Sequence, residues 1–297
     1  VLPALASSLS IVSYNIMDSG FADSSGRYDP VADRVPGNLT NFISSQSQHI
    51  DVLGLIETAA WSTSTSSSHP SIADIASSFG FEHFHLGSNI CLMSHVAMNV
   101  LEEGNPLIAE IEGVVYVLTA MSAISYPEKK DDFKTLADKV NEYKDTPTVL
   151  MGDLNAISAL DSPRYNETLL CGNGTYNKED QSGEYVQNFC LEDKNGDWKL
   201  DYSPMNTLMS TASDLVDLCY YSGGFFDYDA DHSLSQSMCA FSNPTLLIHM
   251  TGDYDFTDGG SHAHTHAMAK IDYILANRMM MKHMRFHHST VIRTFQS

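Results

Sequence analysis

Four polar positions close apolar, β-rich runs at similar places along this 297-residue chain. Asn15 ends Leu9-Ser-Ile-Val-Ser-Tyr14, and Glu57 ends Asp51-Val-Leu-Gly-Leu-Ile56. The pair Asp153 and Asn155 follows Thr148-Val-Leu-Met-Gly152, and Asp272 lies inside Lys270-Ile-Asp-Tyr-Ile-Leu275. A carboxylate in or at the end of a buried strand is costly unless it is paired or binds a metal, so its recurrence argues for convergence on one site. Carboxylates and carboxamides offer the oxygen ligands that Mg²⁺ and Ca²⁺ prefer, and an aspartate beside such a cation can orient or deprotonate an attacking water. Singly, each element is more often a turn residue than a ligand. Their repetition is the signal.

The elements that must position these residues follow from periodicity. Leu9 to Asn15 and Asp51 to Glu57 read as strands, and Leu39, Phe42 and Ile43 as a helix between them after the cap-like Asn38. The Ser/Thr-rich 62–68 stretch is a loop by composition, and Ile72, Ile75, Ala76 and Phe79 give a short amphipathic helix ending at Gly80. Strands are expected over 81–87, 89–94 and 114–121, a helix over 130–143 with Phe133, Leu136, Val140 and Tyr143 on one face, and a strand over 148–153. Residues 156–206 are polar and read as a long surface insertion. Leu215 and Leu218 are assigned to a helix, with strands over 245–250 and 270–276 and another starting at Thr290. Strands alternating with helices in a chain of this size, with no internal repeat, imply one α/β (α+β) domain over 1–297, its sheets inside and its helices outside.

In this order the motifs Ser13-Tyr-Asn-Ile16, Asp51-Val-Leu-Gly-Leu-Ile-Glu57, Gly152-Asp-Leu-Asn-Ala156 and Lys270-Ile-Asp-Tyr-Ile-Leu275 resemble the signature strands of the endonuclease/exonuclease/phosphatase (DNase I-like) superfamily, from about Leu9 to the end of the chain. Leu86-Gly-Ser-Asn-Ile-Cys-Leu-Met-Ser-His95 resembles an internal strand of that family, with Ser-His where Ser-Arg is usual. The resemblance implies a four-layered sandwich of two mixed β-sheets flanked by helices, and hydrolysis of phosphate esters with a divalent cation. It implies Glu57 as principal metal ligand, with Asn15 and Asp272 near metal and phosphate. Asp153 would orient or activate the water, and Asn155 would contact the scissile phosphate.

Two departures bear on activity. The resemblance places a catalytic histidine at the end of the 114–121 strand, where this chain has Met121, which cannot donate a proton. It places a second histidine in a Ser-Asp-His motif after the Asp272 strand, and the sequence reaches Thr294-Phe-Gln-Ser297 just before that motif. Loss of proton transfer and of charge stabilisation would each remove on the order of 10²- to 10⁴-fold in rate.

Other residues of chemical interest have plainer readings beside the functional ones. His262, His264 and His266 alternate and could present imidazoles on one strand face for a transition metal, or form a polar loop or edge strand. Asp193, Asn195, Asp197 and Asp201 match the first oxygen positions of a calcium loop, with Trp198 replacing its turn glycine and Pro204 its bidentate glutamate; the plain alternative is a solvated acidic turn. The Met-rich Arg278-Met-Met-Met281 could be an adaptable contact surface, with core filler the plainer reading.

Three acceptor sequons, at Asn38, Asn166 and Asn173, point jointly to secretion and N-glycans, and the opening at Val1 reads as a mature N-terminus or a trimmed one. Five cysteines fit one or two disulfides and an odd thiol; Cys171 with Cys190 would close a sequon-bearing loop, but connectivity stays open. No run approaches the roughly 20 apolar residues of a membrane helix. A formal charge of -21 argues against tight phosphate-driven nucleic-acid binding, which needs Lys and Arg to displace counterions. A secreted, Mg²⁺- or Ca²⁺-dependent phosphoesterase is thus one expectation. The other is an extracellular structural or adhesive glycoprotein that kept the sandwich, lost catalysis and self-associates.

Overall fold

The computed structural model describes residues 9–15, 50–59, 71–122, 126–160, 171, 189–218, 238–240, 246–251, 272–283 and 288–291. The Asn38 helix, the three sequons and the 262–266 histidines lie outside the described residues.

Alternating side chains let each central strand bury both faces, and the described residues accordingly stack in four layers. One sheet has seven strands in the order β12 (Met238–Ala240), β15 (His288–Val291), β13 (Leu246–Thr251), β1 (Leu9–Asn15), β2 (Val52–Ile56), β4 (Ile90–Ser94) and β3 (His83–Leu86). The other has six: β11 (Val216–Asp217), β14 (Asp272–Ala276), β8 (Thr148–Asp153), β7 (Val114–Ala120), β6 (Leu107–Ile111) and β5 (Asn99–Glu102). Both are mixed: β1 runs parallel to β2 and β13, β7 parallel to β8, while β2–β4 and β8–β14 are antiparallel. The expected sandwich of two mixed sheets flanked by helices is therefore what the chain builds.

Between the sheets, Ile11, Val52, Ile56, Ile90 and Leu92 of the first meet Leu107, Tyr116, Leu118, Val149, Met151 and Ile274 of the second. The approach is close enough that a Cβ on Gly54 would stand 2.8 Å from both Leu118 and Met151. On the outer face of the first sheet, Val12, Leu53, Leu55, Cys91 and Met93 pack on Ile72, Ile75, Ala76 and Phe79 of α1 (Ile72–Phe79). Ser71 and Asp74 cap that helix reciprocally, and Gly80, at φ 89°, ends it. On the outer face of the second sheet, Val115, Val117, Leu150, Tyr273 and Leu275 pack on α2 (Lys129–Asn141) and α3 (Ser203–Thr211).

Several sequence expectations change. Residues 99–102 and 107–111 are strands β5 and β6, which were not anticipated. A helix not anticipated occupies 203–211, where Pro204 suits a first helical turn; of the two leucines assigned to a helix, Leu218 is helical and Leu215 is not, and Val216 and Asp217 between them pair with β14 as an edge strand. The 156–206 stretch is not wholly on the surface. Ile157, Cys171, Phe189 and Cys190 form a small buried cluster beside the hairpin β9 (Cys190–Glu192) and β10 (Trp198–Leu200), and Cys171 and Cys190 are disulfide-bonded. Cys91 is a free, buried thiol. Met280, in α4 (Arg278–His283), is core.

Candidate active site

β1 and β2 run parallel with Asn15 opposite Ile56, so Glu57, one residue on, leaves the sheet at the same end as Asn15. From the facing sheet, β8 delivers Asp153 to that end, and the antiparallel β8–β14 register sets Asp272 opposite Asp153. One carboxamide joins the sheets: Asn15 Nδ2 donates to Glu57 Oε1 at 2.9 Å and to Asp153 Oδ2 at 3.2 Å. Four of the five residues singled out from the strand motifs, Asn15, Glu57, Asp153 and Asn155, are thereby gathered around two adjacent carboxyl groups, and the backbone register brings Asp272 alongside.

The strand exits are locally unfavourable backbone. Glu57 has φ 66° and Asn155 φ 47°, in the left-handed region that side chains other than glycine seldom occupy. Each is held there by specific bonds. Glu57 N–H donates to the carbonyl of Asn89, itself at φ 62°, and Asn155 N–H donates to Asp153 Oδ1 at 2.8 Å. Gly152, just before Asp153, has φ 139°, and a Cβ there would lie 1.9 Å from the Thr119 carbonyl of β7. Only glycine lets β7 and β8 come this close. Such conformations concentrate where function requires them and the surroundings enforce them.

Asp153 is 4% exposed. Burial, reinforced by the neighbouring Glu57, pushes its carboxyl up to about 7, against the hydrogen bonds from Asn155 and Asn15 that favour the ionised form. A carboxyl poised near neutrality can exchange a proton with water at physiological pH. A bound divalent cation would favour the ionised form of Asp153 against the burial that disfavours it, and carboxylate and carboxamide oxygens are the natural ligands of such an ion. The oxygen chemistry of Glu57 and Asn15, with Asp272 set alongside by the strand register, fits such an ion, which these residues would hold. Among the described residues, no group of three His, Cys, Asp or Glu side chains forms a preassembled cage.

Met121 stands at the end of β7, where the resemblance places a histidine. Its N–H donates to the Asp153 carbonyl at 2.8 Å and its carbonyl accepts from Asn155 Nδ2 at 3.1 Å, so its backbone frames the site. Its thioether accepts from Thr119 Oγ1 at 3.7 Å and offers no proton.

The calcium-loop candidates form a hairpin turn. Asp193 Oδ1 accepts from the backbone of Asn195 at 2.7 Å and of Asp197 at 3.0 Å, which holds its carboxyl below the usual range. Asp201 lies beyond the β9–β10 pairing, where its Oδ1 accepts from Ser203 N–H at the start of α3. At ~3.3 Å per strand residue that is roughly 10 Å from the turn, so the four are not brought into one ring.

Two residues at this end were not anticipated. Asn105 brackets the end of β7, donating to the Ala120 carbonyl at 2.6 Å and accepting from Thr119 Oγ1 and Ala120 N–H. Lys129, the first residue of α2, is 1% exposed, and its Nζ donates to the Asn155 carbonyl at 2.7 Å. In sequence Lys129 and Lys130 look alike, as a solvated helix start; only the fold separates the buried one from the exposed one.

No family model matches the sequence, and no curated protein matches it. Solved structures similar to this chain include endonuclease/exonuclease/phosphatase proteins. A member from Beutenbergia cavernae is 15% identical with a TM-score of 0.47; the match covers 90% of this chain and 64% of that one, so the chain spans under two thirds of its length. A 3′ phosphatase from Neisseria, bound to product DNA hairpin, is 14% identical over 84% of this chain and 83% of its own, with a TM-score of 0.46. An AP endonuclease from Leishmania major is 10% identical, with 94% and 84% covered and a TM-score of 0.44. Likenesses this distant add no weight to the reading of the site, which stands on the strand order and the residues at the strand ends.

Proposed function

We propose that this chain is a divalent-cation-dependent phosphoesterase, acting on a phosphodiester or phosphomonoester at the Asn15–Glu57–Asp153–Asn155 end of the sandwich. One observation carries the reading: a single buried carboxamide, Asn15, bridges Glu57 and Asp153 from opposite sheets, and the Asp153 carboxyl is pushed up to about 7. When bound, Mg²⁺ or Ca²⁺ supplies Lewis-acid polarisation of the phosphoryl oxygen. Glu57 and Asn15 would hold that ion together with Asp272. Asp153 takes the proton from the attacking water, and the Asn155 carboxamide orients the phosphate. The charge of -21 favours a compact phosphoester over a long nucleic acid. Secretion with N-glycans at Asn38, Asn166 and Asn173 fits the Cys171–Cys190 disulfide, since such bonds persist in oxidising compartments.

A second reading is favoured by Met121: an extracellular, self-associating glycoprotein that retains the sandwich without turnover. Hydrolysis of bis(4-nitrophenyl) phosphate and 4-nitrophenyl phosphate with and without Mg²⁺ separates the two. On the first reading the wild type turns over slowly, Met121→His speeds it by about 10²-fold through general acid–base assistance, and Glu57→Ala reduces it to background. Metal-independent or absent turnover in both wild type and Met121→His sinks the enzyme.

A further inference from the structure

Lys129 breaks two rules at once. A buried ammonium is unfavourable unless closely partnered, and a cation at a helix N-terminus opposes the helix dipole. Nevertheless Lys129 sits at the first position of α2, 1% exposed, beside an exposed Lys130 that could have taken the buried place only with a different helix phase. The groups around it account for its burial. Nζ donates to the Asn155 carbonyl, and Asp153, Asp201 and Asp132 surround it electrostatically, opposing the burial that lowers its ammonium to about 8. Asp201, whose Oδ1 accepts from Ser203 N–H, has a buried Oδ2 without a hydrogen-bond partner, and the nearby ammonium offsets part of that carboxylate's burial.

The carbonyl it grips belongs to the residue whose conformation matters most. Asn155 is held left-handed at φ 47° by three bonds: its N–H to Asp153 Oδ1, its Nδ2 to the Met121 carbonyl, and its carbonyl to Lys129. The first two lie within the site. The third comes from outside it, from α2, and anchors the corner to the helical layer.

We propose that Lys129 is a positioning residue, holding the Asp153–Asn155 corner so that the Asn155 carboxamide and the Asp153 carboxylate keep their places at the phosphoester site. The role at the corner stands on geometry alone, whereas its consequence for turnover rests on the proposed phosphoesterase reading.

The test separates the two. Stability and amide hydrogen exchange are measured for wild type, Lys129→Met, Asn155→Gly and the double variant. Glycine adopts the left-handed region freely, so a corner that no longer needs holding should make Lys129 less important. The expected result is that Lys129→Met lowers the melting temperature less in the Asn155→Gly background than alone, and that exchange at Asn155 speeds by at least about tenfold more than at Val149 to Met151 of the preceding strand β8. Additive losses, or uniform acceleration along β8, overturn the proposal and leave Lys129 an ordinary packing residue. Should Lys129→Met fail to fold, Lys129→Gln, which keeps a neutral donor, replaces it in the same cycle under the same criteria. A further arm follows bis(4-nitrophenyl) phosphate hydrolysis with Mg²⁺. A fall in kcat exceeding any rise in KM for Lys129→Met, partly restored in Lys129→Arg, extends the role to catalysis; an inactive wild type defeats the function reading while the exchange and stability cycle still decides on Lys129.

Discussion

The two ends of β8 solve the same problem by different means. At the Thr148 end, neutral groups satisfy one another completely. The fully buried Asn277 accepts from Thr148 N–H at 3.1 Å and Met280 N–H at 2.9 Å, donates to the Thr146 carbonyl at 2.8 Å, and gives its own N–H to the Thr148 carbonyl at 3.0 Å. At the Asp153 end of the same strand, charge replaces neutrality: two carboxyl groups share one carboxamide, a lysine is buried, and Gly152 and Asn155 both have positive φ. The Thr148 end is arranged for stability, and the Asp153 end holds unfavourable groups in place because the rest of the sandwich is stable enough to enforce them.

The largest expected effect tests how rigid the enforced end is. Gly152→Ala must displace the Thr119 carbonyl from 1.9 Å, which breaks the β7–β8 pairing; a loss above ~4 kcal/mol, or no soluble folded protein, is expected from urea denaturation. A near-wild-type midpoint would mean that the two strands slide apart easily, and the contrast between the ends would collapse. Next comes the neutral end. Asn277→Ala leaves the Thr148 and Met280 amides and the Thr146 carbonyl buried without that partner, so a loss of about 2–3 kcal/mol is expected, with Mg²⁺-dependent turnover per folded molecule unchanged.

These two ends also show how far the sequence could be read. Asp153 and Glu57 were legible because a carboxylate terminating an apolar strand is costly unless it is paired or binds a cation; the two-sheet sandwich was legible only through the resemblance that the order of the four motif strands carries. Asn277 was not, since an asparagine before a Met-rich run reads as an ordinary turn until β8 is packed against it. Lys129 was hidden for a related reason: helical phase decides which of two adjacent lysines is buried, and that phase is set by Phe133, Leu136 and Val140 against the sheet. β5 and β6 escaped notice because Asn99 to Glu102 alternates only weakly between faces and Pro106 interrupts the approach to β6. Leu215 and Leu218 suggested a helix by spacing alone; Leu218 is helical, but pairing with β14 made Val216 and Asp217 a strand.

The Asp153 end should also show its charge in the pH dependence of stability. The folded carboxyl is raised to about 7 from an ordinary value near 3.8, so the folded state binds the proton more tightly than the unfolded chain. The resulting stabilisation is complete below about 3.8 and is lost as pH rises through about 7. Denaturation midpoints of the wild type should therefore fall between about pH 5 and pH 8, and Asp153→Asn should flatten that difference. Adding Mg²⁺ at about pH 8 should restore part of the loss in the wild type and none in Glu57→Ala. An equal slope in wild type and Asp153→Asn would assign the pH dependence to other groups and make this end electrostatically ordinary.

The smallest effect discriminates most finely, because it compares one residue type at both ends. Asn155 and Asn277 are both buried and both hydrogen-bonded, but Asn277 is needed for the bonds of its side chain, whereas Asn155 adopts a backbone conformation that glycine reaches without strain. Asn155→Gly removes the bond to the Met121 carbonyl, about 1 kcal/mol, and relieves a left-handed conformation worth roughly 1–2 kcal/mol. The two nearly cancel, so a change within ~1 kcal/mol is expected, while Asn277→Gly should lose at least as much as Asn277→Ala. Since only the carboxamide is removed at position 155, phosphate affinity should fall as stability holds. A large destabilisation by Asn155→Gly would show that the carboxamide bond, rather than the backbone turn, organises the site, and that both ends of β8 depend on side-chain hydrogen bonding in the same way.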